Sequence, residues 1–109
     1  MNGGEFSAFS VSINSDGTIV AIGAKSTNSN AGTTRIYEWN AGTSTWGLKG
    51  SQIDGLTSGE NSGHSVSINS DGTIVAIGAY GNDEAFNDAG TTRIYEWNGT
   101  AWTLRKQID

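Results

Sequence analysis

Two stretches of this chain occur twice without a single change. Ser10 to Ala24 reads SVSINSDGTIVAIGA, and Ser65 to Ala79 repeats it. Ala31 to Asn40 reads AGTTRIYEWN, and Ala89 to Asn98 repeats that. Each copy closes on Gln-Ile-Asp, at Gln52 to Asp54 and at Gln107 to Asp109. The register is 55 residues at both ends, and a three-residue insertion in the second copy is absorbed before its end. A repeat of this length is one supersecondary unit, and such units bury their apolar faces by stacking on one another. The copies divide the chain into residues 1–54 and 55–109.

Each copy reads as four strands. Phe9, Val11 and Ile13 alternate with Ser10 and Ser12, the period-two pattern of a strand. Asp16-Gly17 then gives a hairpin signal. In the second strand, Thr18 to Ala24, Val20 and Ile22 lie on one face, and Ile19, Ala21 and Gly23 on the other. A strand apolar on both faces must be covered on both. Thr34 to Trp39 forms the third strand, with Arg35, Tyr37 and Trp39 on one side and Ile36 on the other. Asn98-Gly99 turns into a fourth strand, Trp102 to Ile108; its counterpart, Trp46 to Ile53, carries an extra residue, with a bulge expected at Gly50-Ser51. A β-sandwich would also bring two such sheets together, but its outer faces should be polar, and Ile19 and Ala21 stand opposite Val20 and Ile22. The expected architecture is all-β: two four-stranded antiparallel propeller blades per chain, the ring completed by oligomerisation.

Composition narrows the function classes. The formal net charge is −5 and the six Lys and Arg are scattered, which argues against a nucleic-acid surface. No apolar run is long enough to span a bilayer as a helix. The absence of cysteine removes disulfides and thiolate metal sites. The single histidine, His64, aligns with Phe9 of the first copy and has no repeated partner, and no nucleophile-base pattern is present. An enzyme is not expected.

The run SVSINSDGTIVAIGA followed by GTTRIYEWN resembles the FG-GAP-type repeat of integrin-alpha-like propellers. It is more similar still to repeat arrays with DGTxVAIGA and VYEWN patterning in large extracellular proteins. The resemblance implies a propeller with the first strand at the central channel and the fourth at the rim, and an extracellular parent. Calcium-binding FG-GAP loops place carboxylates at alternate positions and close with a further Asp. This chain has Ser12, Asn14 and Asp16 there, and Val20 where the closing carboxylate belongs. One carboxylate and one amide are too few hard oxygens for a calcium site. Asp16 and Asp71 are therefore read as turn residues, and no cofactor is expected.

Strand order gathers the variable loops at one end of each blade. These are Lys25 to Asn30, Tyr80 to Asp88 and the connection Asp54 to His64. Loops on a rigid scaffold are the usual carriers of binding. The candidate ligand-binding residues are Lys25, Asn28, Asn30, Tyr80, Asn82, Asp83, Glu84, Phe86, Asn87 and Asp88, whose aromatic, amide and acidic groups suit a peptide or a sugar. The four tryptophans are expected to pack in the core or between blades. Arg35 and Glu38, like Arg93 and Glu96, stand three apart on a strand and point to opposite faces, so each is expected to pair across a blade interface. Two function classes remain: a self-assembling structural scaffold that holds a protein partner, and a lectin-like binder of glycans. The expected partners are copies of the chain itself in a cyclic ring, with three chains favoured over four.

Overall fold

The computed structural model describes residues 9–25, 31–56, 61–79 and 90–108. All regular structure in them is β, arranged as two antiparallel sheets. The first sheet runs β1 (Ser10–Ile13), β2 (Ile19–Ala24), β3 (Thr33–Asn40) and β4 (Thr45–Leu48), with the short β5 (Ile53–Asp54) returning to pair with β3. The second runs β6 (Ser62–Ile68), β7 (Ile74–Ala79), β8 (Thr91–Trp97) and β9 (Trp102–Ile108). Both are meanders, each strand pairing with the next in the chain.

Registers agree between the sheets wherever the sequences agree. Val20 faces Tyr37 and Ile22 faces Arg35 in the first sheet; Val75 faces Tyr95 and Ile77 faces Arg93 in the second. The expected single fourth strand is broken in the first copy. Between β4 and β5 the chain leaves the ladder at Lys49 to Gln52, and Gly50 takes φ +76, a conformation that costs glycine little. The second copy, one residue shorter there, keeps β9 continuous and absorbs the irregularity as a register shift between Ile94 and Tyr95.

The turn from β1 to β2 has a buried organiser. Asn14 is 6% exposed, and its Oδ1 accepts from the backbone N–H groups of Thr18 (3.0 Å) and Ile19 (2.9 Å). Asn69 does the same for Thr73 and Ile74. At the same end of each sheet, Asn40 and Asn98 close the β3–β4 and β8–β9 turns through their side-chain oxygens.

The sheets lie face to face, with β6 packed along β1 and β2. Ile36, Val75 and Ile77 are the most deeply buried large apolar side chains in this core, each at most 1% exposed, and burial of each contributes roughly 1.5–3 kcal/mol. A polar seam runs beside them. Ser10 Oγ donates to Gly63 O at 2.7 Å, Ile68 N–H donates to Ser12 Oγ at 3.2 Å, and Ser15 Oγ donates to Ser70 O at 3.2 Å. Gly23 has no room for a Cβ, because the Gly63 carbonyl occupies that space. The phase of burial then separates two identical strands. In β2 the buried residues include Ile19 and Ala21; in β7 they are Val75, Ile77 and Ala79, the opposite face of the same sequence.

Candidate functional site

The consequence of that phase is a pair of open faces, one on each side of the stack. On the first sheet, β1 presents Val11 (66% exposed) and Ile13, β2 presents Val20 and Ile22, and Leu48 and Trp46 continue the face on β4. Val20, Ile22, Tyr37 and Trp46 line a hollow of about 330 Å³. In the second copy the matching side chains, Val66, Ile68, Val75, Ile77, Tyr95 and Trp102, form or flank the core.

The second sheet's open face carries Ser65 and Ser67 from β6, Ile74, Ala76 and Gly78 from β7, and Ile94 from β8. Ser65 and Ser67 are exposed, and the other four are half-buried. Their first-copy counterparts are Ser10, Ser12, Ile19, Ala21, Gly23 and Ile36, the residues that meet the second sheet. At one end of this face His64, Ser65, Gly78, Ala79, Thr91 and Thr92 border a cavity of about 220 Å³. The corresponding place in the first copy is filled by Ser62 and Gly63, with a parallel bridge between Gly32 and Ser62. Each open face is therefore the counterpart of a face that the chain itself already pairs.

A cluster at the edge of the inter-sheet contact shows how the pairing is fastened. Trp97 and Trp102 face each other across β8 and β9 with ring centres 5.3 Å apart at 56°. The Lys49 ammonium lies 4.5 Å above the Trp97 ring centre, and Trp102 Nε1–H donates to the Lys49 carbonyl at 2.9 Å. Such a cation over an indole contributes roughly 0.5–2 kcal/mol, more as water is excluded. Lys49 also meets Glu38 at 3.6 Å, which fixes its direction. Gly50 lies against both indoles.

The sequence-based candidates divide sharply. Lys25 is described: its ammonium sits 4.6 Å from the Phe9 ring centre, and its carbonyl accepts from Asn61 Nδ2 at 3.0 Å. Asn28, Asn30, Tyr80, Asn82, Asp83, Glu84, Phe86, Asn87 and Asp88 lie outside the described residues. His64 packs on Phe9 with ring centres 5.3 Å apart, so these two aligned positions meet in space. Arg35 and Glu38, each expected to pair across a blade interface, both have partners on their own sheet. Arg35 Nε donates to Gln52 and Glu38 meets Lys49, both inside the first sheet. Arg93, 5% exposed, likewise donates from Nε to Gln107 on its own sheet at 3.0 Å.

The Asp16 carboxylate is held below its ordinary pKa chiefly by the hydrogen bond from Thr18 Oγ1, at 2.7 Å. No group of three or more His, Asp or Glu side chains able to hold a metal occurs among the described residues. No helix in them is long and apolar enough to cross a membrane. Asn14, in the loop that has too few hard oxygens for calcium, spends its side-chain oxygen on two backbone N–H groups of the turn. Strands apolar on both faces imply one apolar face left at each end of a two-sheet stack, but which face each copy leaves open is not legible in the sequence. Only one of the two equivalent faces in each copy can meet the other copy.

No protein-family model matches the chain, and no curated protein matches it.

Proposed function

We propose that this chain is a two-blade β-propeller segment that works as a self-assembling structural and interaction scaffold. The observation that carries the reading is the opposite burial of β2 and β7. One identical strand packs through its Ile19 and Ala21 face, the other through its Val75 and Ile77 face, so the contact within the chain is head-to-tail. A head-to-tail contact leaves one half of the same contact unused at each end. Repeated between chains, it closes into a ring or runs on as a filament. Apolar open faces that include Val11, Ile13, Trp46 and Leu48, each 44–66% exposed, favour burial over solvation.

The FG-GAP-type resemblance supports the same reading, with three chains and six blades the favoured ring. Propellers run from about four to eight blades, so two to four chains of two blades fit that range. Such a ring would present the variable loops together on one side as the surface for a protein partner.

Sedimentation velocity across a broad concentration series tests the proposal. A discrete species of three chain masses that gives way to single chains on dilution supports it. A single-chain mass at every concentration, with an unfolding midpoint independent of concentration, sinks it.

A further inference from the structure

The edge cluster at Lys49 has a second, unfilled copy. Trp39 and Trp46 face each other across β3 and β4 with ring centres 5.3 Å apart at 59°, almost the geometry of Trp97 and Trp102. Trp97 and Trp102 are partly buried and hold a cation. Trp39 and Trp46 are 37% and 44% exposed. The pair is already in the shape that accepts Lys49 in the second sheet, so no side chain has to be reorganised for binding.

The complementary half stands on the other open face. Lys49 follows Leu48, whose partner is Tyr37; Arg105 follows Leu104, whose partner is Tyr95. Arg105 therefore occupies the position of Lys49 at the same irregularity of the ladder, and Lys106 beside it pairs with Ile94, a residue of the open face. Both basic side chains are exposed. Arginine stacks on aromatic faces at least as well as lysine does.

We infer that Trp39 and Trp46 are a binding site for the Arg105–Lys106 segment of a second copy of this chain. The inference rests on the head-to-tail reading above and names the contact that fastens it. The cation of Arg105 or Lys106 lies over Trp39, and Trp46 Nε1–H donates to the Arg105 carbonyl, as Trp102 does to Lys49. The site thus recognises a guanidinium or ammonium on a bulged strand rather than a free ligand. The net charge of −5 agrees with a site that takes a cation.

Sedimentation equilibrium on the full chain tests this with R105E/K106E, W46F and R105K. The charge reversal should raise the dissociation concentration at least tenfold. W46F removes the indole donor together with part of the ring surface and should raise it at least fivefold, the equivalent of roughly 1 kcal/mol for the donor alone. R105K restores the residue found at position 49 and should stay within twofold of the wild type. Acrylamide quenching of indole fluorescence should increase on dilution of the wild type, as Trp39 and Trp46 become accessible. If the wild type assembles and the charge-reversed variant dissociates at the same concentration, the site is wrong while head-to-tail assembly stands. If the wild type never assembles, both fall. The variants' far-UV circular dichroism guards against misfolding, and all three altered side chains are exposed within the chain.

Discussion

Ile22 and Ile77 occupy the same position of two identical strands and have opposite surroundings. Ile77 is 1% exposed in the inter-sheet core, whereas Ile22 lines the hollow beside Val20, Tyr37 and Trp46. The pair offers an internal control that few proteins provide. Ile77→Asp places an unpaired carboxylate in the core, a change that costs several kcal/mol, and should leave the chain unfolded. Ile22→Asp should keep the sheets intact and abolish association. Circular dichroism together with sedimentation on both variants reads the contrast; equal behaviour of the two would contradict it.

Asn14 and Asn69 each satisfy two backbone N–H groups that would otherwise be left at a turn. Asn14→Ala should therefore destabilise by about 1–3 kcal/mol, the cost of an unsatisfied buried donor. Asn69→Ala should cost somewhat less, because Asn69 is only half-buried. Urea unfolding curves with unchanged slope give the comparison. Because the Asn14 oxygen is already engaged, millimolar calcium should not move the midpoint of the wild type. A rise of many degrees would restore the loop as a metal site.

Thr34 points the other way. Its side chain is fully buried, and its hydroxyl finds no hydrogen-bond partner among the described residues. Valine has nearly the same shape without the hydroxyl, so Thr34→Val should raise stability by about 1 kcal/mol. For a chain of this size that is a gain of roughly 4–8 °C in the thermal midpoint. Thr33, its neighbour, donates to Asp54 Oδ1 at 3.0 Å, and Thr33→Val should be destabilising.

Asp16 supplies a pH dependence of known sign. Thr18 Oγ1 holds its carboxyl below the ordinary aspartate value, so folding favours the ionised form. The contribution is complete above the unfolded-state pKa, near pH 4, and is lost as pH falls through the lower folded-state value. The effect is small because Asp16 is exposed. Thermal melts between pH 5 and pH 2 should show the wild type losing stability more steeply than Asp16→Asn over the acid end.

The repeat made the strand plan readable. Strands of fixed length, alternating Val, Ile and Ser, and turns at Asp16-Gly17 and Asn98-Gly99 leave little freedom in how each copy pairs with itself. The break after Leu48 was visible as one extra residue at Gly50-Ser51. Which face each copy buries was not visible, because β2 and β7 are the same sequence and only tertiary context distinguishes them. The role of Asn14 was hidden for a related reason. The sequence marks the loop as a turn but not Asn14 as its organiser, because the two backbone bonds that make it so exist only once β2 is formed. Lys49 over Trp97 depends on residues of different copies meeting at the edge, and no local pattern encodes it.

The serine seam between the sheets has a bearing on how far the copies can diverge. Ser10 bonds to a carbonyl of Gly63, Ser12 accepts from the amide of Ile68, and Ser15 bonds to a carbonyl of Ser70. Each of these three contacts reads the partner's main chain and ignores its side chains. Two copies could drift apart in sequence along β6 and still be recognised, provided the serines stay and nothing larger than glycine replaces Gly23, where the Gly63 carbonyl comes closest. Tolerance to drift is thus built into one line of hydroxyls, and the exchange of a single hydrogen atom at Gly23 for a methyl group would end it.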